Sequence, residues 1–162
     1  GLGGVAPDRR RVFRDPILGW PYRHDSPARH TGIGPTEIET AMKPLFETAR
    51  TVVRRLILDD APRLVALDSD PEVMRYINGG LATPLHVMEK KLVDWTSGYD
   101  APKPHGFWAI DLKSTNEFVG WVHLRPDRLQ PEFDELGYRL AQAFWGMGLA
   151  TEVARAMVEH TM

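Results

Sequence analysis

The chain has 162 residues, 43% of them hydrophobic and 26% charged, with a formal net charge of −2 and no cysteine. That is enough chain for one domain with a core. The charge gives no field to draw nucleic acid or an anionic membrane surface, so neither partner is expected. Without cysteine there is no disulfide framework, thiolate nucleophile or cysteine metal site, which suits a reducing cytoplasm. No apolar run approaches the roughly 20 residues that span a bilayer, and no signal peptide is visible.

Residues 1–41 are rich in glycine and proline, hold an Arg9-Arg10-Arg11 cluster, and place Ile17, Leu18 and Trp20 at neither helical nor strand spacing. They read as an irregular or disordered tail before the folded part, 42–162. The tail carries +1, which leaves −3 on residues 42–162. That is a poor footprint for a nucleic-acid arm.

Thr51 to Leu58 is rich in β-branched and apolar residues and predicts a first strand. Asp59 or Asp60 can cap a short helix with Pro62 in its first turn. Asp70-Pro71 starts a second helix that Gly79-Gly80 stops. Thr83-Pro84 starts a third, with Leu85, Met88, Leu92 and Trp95 on one face and Glu89, Lys90, Lys91 and Asp94 away from it. After a loop, 105–112, 117–124 and 132–140 predict three strands with short connections, hence an antiparallel meander. The order argues for an α+β layered fold rather than a doubly wound parallel sheet.

The 135–152 stretch organises the rest. Leu136, Tyr138 and Leu140 alternate with Glu135, Gly137 and Arg139, a strand with unlike faces. After Gly148, apolar Ala150, Val153, Ala154, Met157 and Val158 recur at helical spacing. Between them Gly146 and Gly148 lack a Cβ, so the backbone turns sharply and its N–H groups can approach a ligand. Free N–H groups and the positive end of the helix dipole make such a turn an anion site suited to diphosphate. A P-loop needs Gly-Lys followed by Ser or Thr, and the stretch has no lysine. A dinucleotide fingerprint needs a third glycine where Thr151 stands.

The whole string, from its acidic strand through Phe144-Trp145 and Gly146-x-Gly148-x-Ala150-Thr151-Glu152, resembles the coenzyme A-binding segment of the GNAT superfamily of N-acetyltransferases, nearest the ribosomal-protein-alanine acetyltransferase branch. The family signature opens with Arg or Gln where this chain has Ala143. The resemblance implies a GNAT-like, mainly antiparallel mixed sheet with flanking helices, the early helices lining the acceptor side. It covers the first strand to the glycine-turn helix, so the C-terminal part of that fold is expected to be missing, as in a fragment, and the open sheet edge to invite homodimerisation.

Acetyl-CoA is the implied co-substrate, with no metal, since the six histidines show no ligand spacing. The acceptor is a primary amine, on a small molecule or a protein N-terminus. The resemblance assigns diphosphate to backbone N–H groups of Gly146, Met147, Gly148, Leu149, Ala150 and Thr151, with the Thr151 hydroxyl added, and the oxyanion to an N–H among Tyr138, Arg139 and Leu140. Glu135 is either the base that takes a proton from the amine or a solvated strand residue. Tyr138 is either a core aromatic or a proton donor to the leaving thiolate. Glu152 complements the helix dipole. His105 and His123 are candidates for the acceptor side, or structural. A non-catalytic module that only binds coenzyme A or dimerises is the alternative function.

Overall fold

The structure is a computed structural model that describes residues 43–100 and 105–162; the expected tail, 1–41, lies outside them. Strands β1 (Pro44–Glu47), β2 (Thr51–Arg55), β3 (Gly106–Leu112), β4 (Phe118–Pro126) and β5 (Asp134–Leu140) form one antiparallel sheet in sequence order. Helices α1 (Ala61–Asp68), α2 (Pro71–Asn78) and α3 (Leu85–Thr96) separate β2 from β3, and α4 (Leu149–Thr161) follows β5. The α+β class and the meander are as the sequence predicts. β1 is an addition: four residues carry too little alternation to announce a strand, and pairing with β2 makes them one.

Each sheet face has its own core. On one, Val53, Trp108, Ile110, Val122 and Leu140 meet Leu149, Val153 and Met157 of α4. On the other, Phe107, Ala109 and Trp121 meet Leu64 of α1 and Met88, Leu92 and Trp95 of α3. The period of two in the strands divides these sets, and the result is three layers. Trp95 stacks on Phe107 with centroids 4.1 Å apart and planes 10° from parallel.

Local chemistry explains the helix limits, with two corrections. Asp70 caps α2 by accepting the Glu72 N–H at 2.9 Å, and Gly79 closes it at φ 77°. Asp60 precedes α1 but does not cap it. Its carboxylate accepts Arg54 Nη1 and Nη2 at 2.8 and 2.9 Å and the Ile57 N–H at 3.0 Å, and these bonds take the place of a cap. Lys91, predicted to face away, is buried, and Leu85 is largely exposed. The buried stripe of α3 is Met88, Lys91, Leu92 and Trp95, an i, i+3, i+4, i+7 set.

Gly120 sits where the β3–β4 register slips between Ile110 and Asp111, with φ 153°. A Cβ there would lie 2.0 Å from the Arg139 carbonyl oxygen on β5. Gly120→Ala is expected to cost roughly 3 kcal/mol or more by forcing two strands apart. Urea unfolding of the variant beside the parent protein measures it.

Candidate functional site

A 3-10 turn at Gln142–Phe144 leads from β5 into Trp145, whose Nε1–H donates to the Leu140 carbonyl at 2.8 Å. The chain then reverses through Gly146 at φ 72° and Gly148 at φ 77°, backbone that side chains with a Cβ rarely adopt. α4 starts at Leu149, and its first bond to the turn runs from the Glu152 N–H to the Gly148 carbonyl at 3.1 Å. Among the described residues the N–H groups of Gly146, Met147, Gly148, Leu149, Ala150 and Thr151 make no hydrogen bond. Six donors at a helix N-terminus form an anion-accepting turn.

The turn is tied to the other end of the sheet. Arg50, between β1 and β2, places Nε and Nη2 at 2.8 and 2.7 Å from Glu152 Oε2, and its main-chain N–H donates to Glu152 Oε1 at 3.0 Å. Arg50 Nη1 donates to the Met147 carbonyl at 2.8 Å. The Thr48 hydroxyl and Arg50 together hold the Glu152 carboxyl below its ordinary pKa. Glu152 thus does more than complement the dipole. Arg50 escaped the sequence reading because nothing local marks a partner 102 residues away.

A cleft of about 460 Å³ opens above the turn, lined by Gly146, Gly148, Leu149, Ala150 and Thr151, by Tyr138, Arg139 and Leu140, and by four further residues. Of these four, Phe144 and Trp145 belong to the string that carries the family resemblance, given there no site role, and Val73 and Ile77 come from α2. Met147 does not line it; its side chain is exposed and its carbonyl is held by Arg50. The β5 backbone contributes in a fixed phase. The Ala141 N–H donates to the Val119 carbonyl, so odd-numbered residues of β5 bond to β4 and even-numbered ones turn N–H and C=O outward. Leu136, Tyr138 and Leu140 therefore present the open edge, and among the described residues no strand pairs with it.

The two faces of β5 correct the sequence reading. Tyr138, read as either a core aromatic or a proton donor, is 53% exposed and so is not a core residue. Arg139, assigned to the polar face, is 7% exposed: Nη1 donates to Asp68 Oδ1 at 2.5 Å, and its guanidinium lies 4.9 Å from the Trp121 ring centroid. Thr83 Oγ1 donates to the other Asp68 oxygen at 2.8 Å. That face is covered by helices, so its arginine must be paired inside.

Glu135 projects on the same face as Arg139, opposite Tyr138. Arg125 forks it, Nη2 at 2.9 Å from both carboxylate oxygens and Nε at 3.2 Å from Oε2. Partial burial pushes the Glu135 carboxyl up, but the Arg125 bonds and charge outweigh it and hold the group below its ordinary pKa. His123 Nε2 lies 3.4 Å from Glu135 Oε1, out of hydrogen-bond alignment, and both ring nitrogens are buried without a partner. The ring lies over Gly137, where a Cβ would approach it to 2.5 Å. Burial, then Arg125, push the imidazole down to about 4 against the pull of Glu135. His105, the other histidine singled out, pairs with Asp134 at 3.0 Å. Among the described residues no group of three or more His, Cys, Asp or Glu could hold a metal, and no helix is long and apolar enough to cross a membrane.

With a folded pKa near 4 against 6.5 for a free imidazole, His123 stays neutral in the fold while the unfolded chain binds a proton. Its contribution is complete above pH 6.5 and declines as pH falls toward 4. Denaturant unfolding is expected to lose stability between pH 6.5 and 4.5, above the range where Glu135 titrates, and His123→Gln to flatten that slope.

Residues 50–162 match the family model described as an acetyltransferase (GNAT) domain. The chain is 26% identical over 121 residues to the uncharacterized N-acetyltransferase p20 of Bacillus licheniformis, covering 74% of this chain and 66% of that protein. It is 32% identical over 126 residues to the FsC-acetyl coenzyme A-N(2)-transacetylase of Aspergillus fumigatus, covering 73% of this chain and 52% of that protein. A crystal structure of an acetyltransferase from Agrobacterium tumefaciens superposes with TM-score 0.57 and 25% identity over 70% of this chain and 64% of its own. The chain thus spans between about half and two thirds of the length of these relatives. On the match that runs from Arg50 through the sheet and glycine turn to Met162, the chain belongs to the GNAT acetyltransferase family.

Proposed function

We propose that this domain moves an acetyl group from acetyl-CoA to a primary amine, on a small molecule or a protein N-terminus. The observation that carries this is the run of six N–H groups from Gly146 to Thr151 that have no partner among the described residues, beneath a cleft that Tyr138 and Leu140 of β5 also line. The diphosphate sits on the turn, with the Thr151 hydroxyl as a further donor, and the thioester arm runs along β5. Family membership supports this placement, and the curated relatives whose names state an activity are acetyltransferases, which weighs against a non-catalytic module. The likeness of Glu135 to Glu152 to the ribosomal-protein-alanine branch favours an N-terminal amine.

The amine nitrogen attacks the thioester carbon, the carbonyl oxygen gains charge, and the C–S bond breaks. Tyr138 or Leu140 supplies the N–H for the oxyanion, since these two of the three residues turn their backbone outward. Arg139, whose N–H faces β4, serves instead by walling the cleft. The exposed Tyr138 hydroxyl returns a proton to the thiolate. Glu135 receives the ammonium proton, directly or through water, from the sheet face opposite Tyr138. Its lowered pKa makes it a weak base that depends on the amine being brought to it already near its neutral form.

Titration calorimetry with acetyl-CoA tests the site. Saturable binding is expected, and Gly146→Pro, which cannot adopt φ 72°, is expected to abolish it. Absence of binding by the folded parent protein would remove acetyl transfer from consideration. In steady-state assays with amine acceptors, Tyr138→Phe and Glu135→Gln are each expected to lower kcat about 10- to 100-fold with little change in KM for acetyl-CoA. A rise confined to KM would deny both residues a part in proton transfer.

A further inference from the structure

Arg50 does not line the cleft, yet its guanidinium is committed to the turn beneath it. Two consequences follow from the bonds. Glu152 places a negative charge in the first turn of α4, where it would oppose a bound anion, and the Arg50 ion pair at 2.7 Å neutralises it. The bond from Nη1 to the Met147 carbonyl acts on geometry. The Met147–Gly148 peptide is trans, so its C=O and N–H point in opposite directions. With the carbonyl held on Arg50, the Gly148 N–H is turned away from Arg50.

Nothing in Gly148 itself fixes that orientation. Flipping the peptide rotates ψ of Met147 together with φ of Gly148, and the glycine takes either sign of φ at little cost. The flipped form would aim the Met147 carbonyl at the ligand, replacing a donor with an acceptor where negative charge is to bind. We propose that Arg50 is a positioning residue that locks the Met147–Gly148 peptide with its N–H toward the cleft and so sets the affinity of the turn for the diphosphate of coenzyme A. The inference rests on the reading of the turn as the diphosphate site. It gives the tie between the β1–β2 turn and the glycine turn a role in binding.

A cycle of Arg50→Ala, Glu152→Gln and the double variant measures the effect of Arg50 on affinity without Glu152, and the Gly148 amide in ligand-free protein reads the geometric part apart from attraction to the anion. Calorimetry with acetyl-CoA is expected to show the double variant binding about tenfold more weakly than Glu152→Gln alone, the loss of one charge-assisted hydrogen bond. In ligand-free protein the Gly148 amide proton–nitrogen resonance is expected to shift or broaden in Arg50→Ala and to stay as in the parent in Glu152→Gln. Thermal unfolding of each variant checks the fold, and Arg50→Lys, which keeps the charge with one donor centre, is expected to fall between parent and alanine variant. Equal affinity of the double variant and Glu152→Gln, or an unchanged Gly148 resonance in Arg50→Ala, overturns the lock. A parent protein that does not bind acetyl-CoA while its Gly148 resonance responds to Arg50→Ala would uphold the lock and overturn the diphosphate reading instead.

Discussion

The buried pair between Arg139 and Asp68 is the interaction on which the arrangement of the site depends. It joins the last strand of the sheet to the C-terminal end of α1, and Thr83 adds the segment that leads into α3 by bonding the second Asp68 oxygen. α2, which walls the cleft through Val73 and Ile77, is suspended between these two points. Burying a guanidinium and a carboxylate is costly, and removing either partner leaves the other uncompensated, so such a pair is weak support for stability and strong support for a fixed geometry. Here it fixes how far α2 stands from the open edge of β5, which is the width of the cleft. The Arg139 guanidinium on the Trp121 ring carries the same constraint into the aromatic cluster with Phe107 and Trp95.

β5 then distributes the chemistry by direction alone. Even-numbered residues give their backbone to the open edge and their side chains to the α4 face, which exposes Tyr138 beside the cleft. Odd-numbered residues give their backbone to β4 and their side chains to the helical face, which puts Glu135 with Arg125 and His123. The Tyr138 side chain and the group of Glu135, Arg125 and His123 are thereby on opposite faces of one strand. Gly137 lies between them because the His123 ring occupies the space a Cβ would take.

A sheet is the scaffold that permits this. Its strands are locked by Gly120 against β5 at one point and by the aromatic stack at another, while the turn after β5 remains open to a ligand. Arg50 bonds that turn from outside, at the Met147 carbonyl.

The sequence by itself determined what depends on short range. Period-2 alternation in 105–112 and 132–140 set the meander, Asp70-Pro71 and Gly79 bounded α2, and the glycine spacing with the helix after it located the turn, because each of these is a matter of local sterics and hydrogen bonding. Tertiary structure alone decided which face of β5 met water, since alternation names two faces without saying which is covered. It placed Arg139 inside and Tyr138 outside, turned Asp60 from a helix cap into a partner of Arg54, and made a strand of Pro44–Glu47. It also brought Arg50 to Met147 and Glu152 across about a hundred residues of chain. Charged side chains carry no record in their own neighbourhood of the partner they will meet, and only the folded sheet brings those partners within reach.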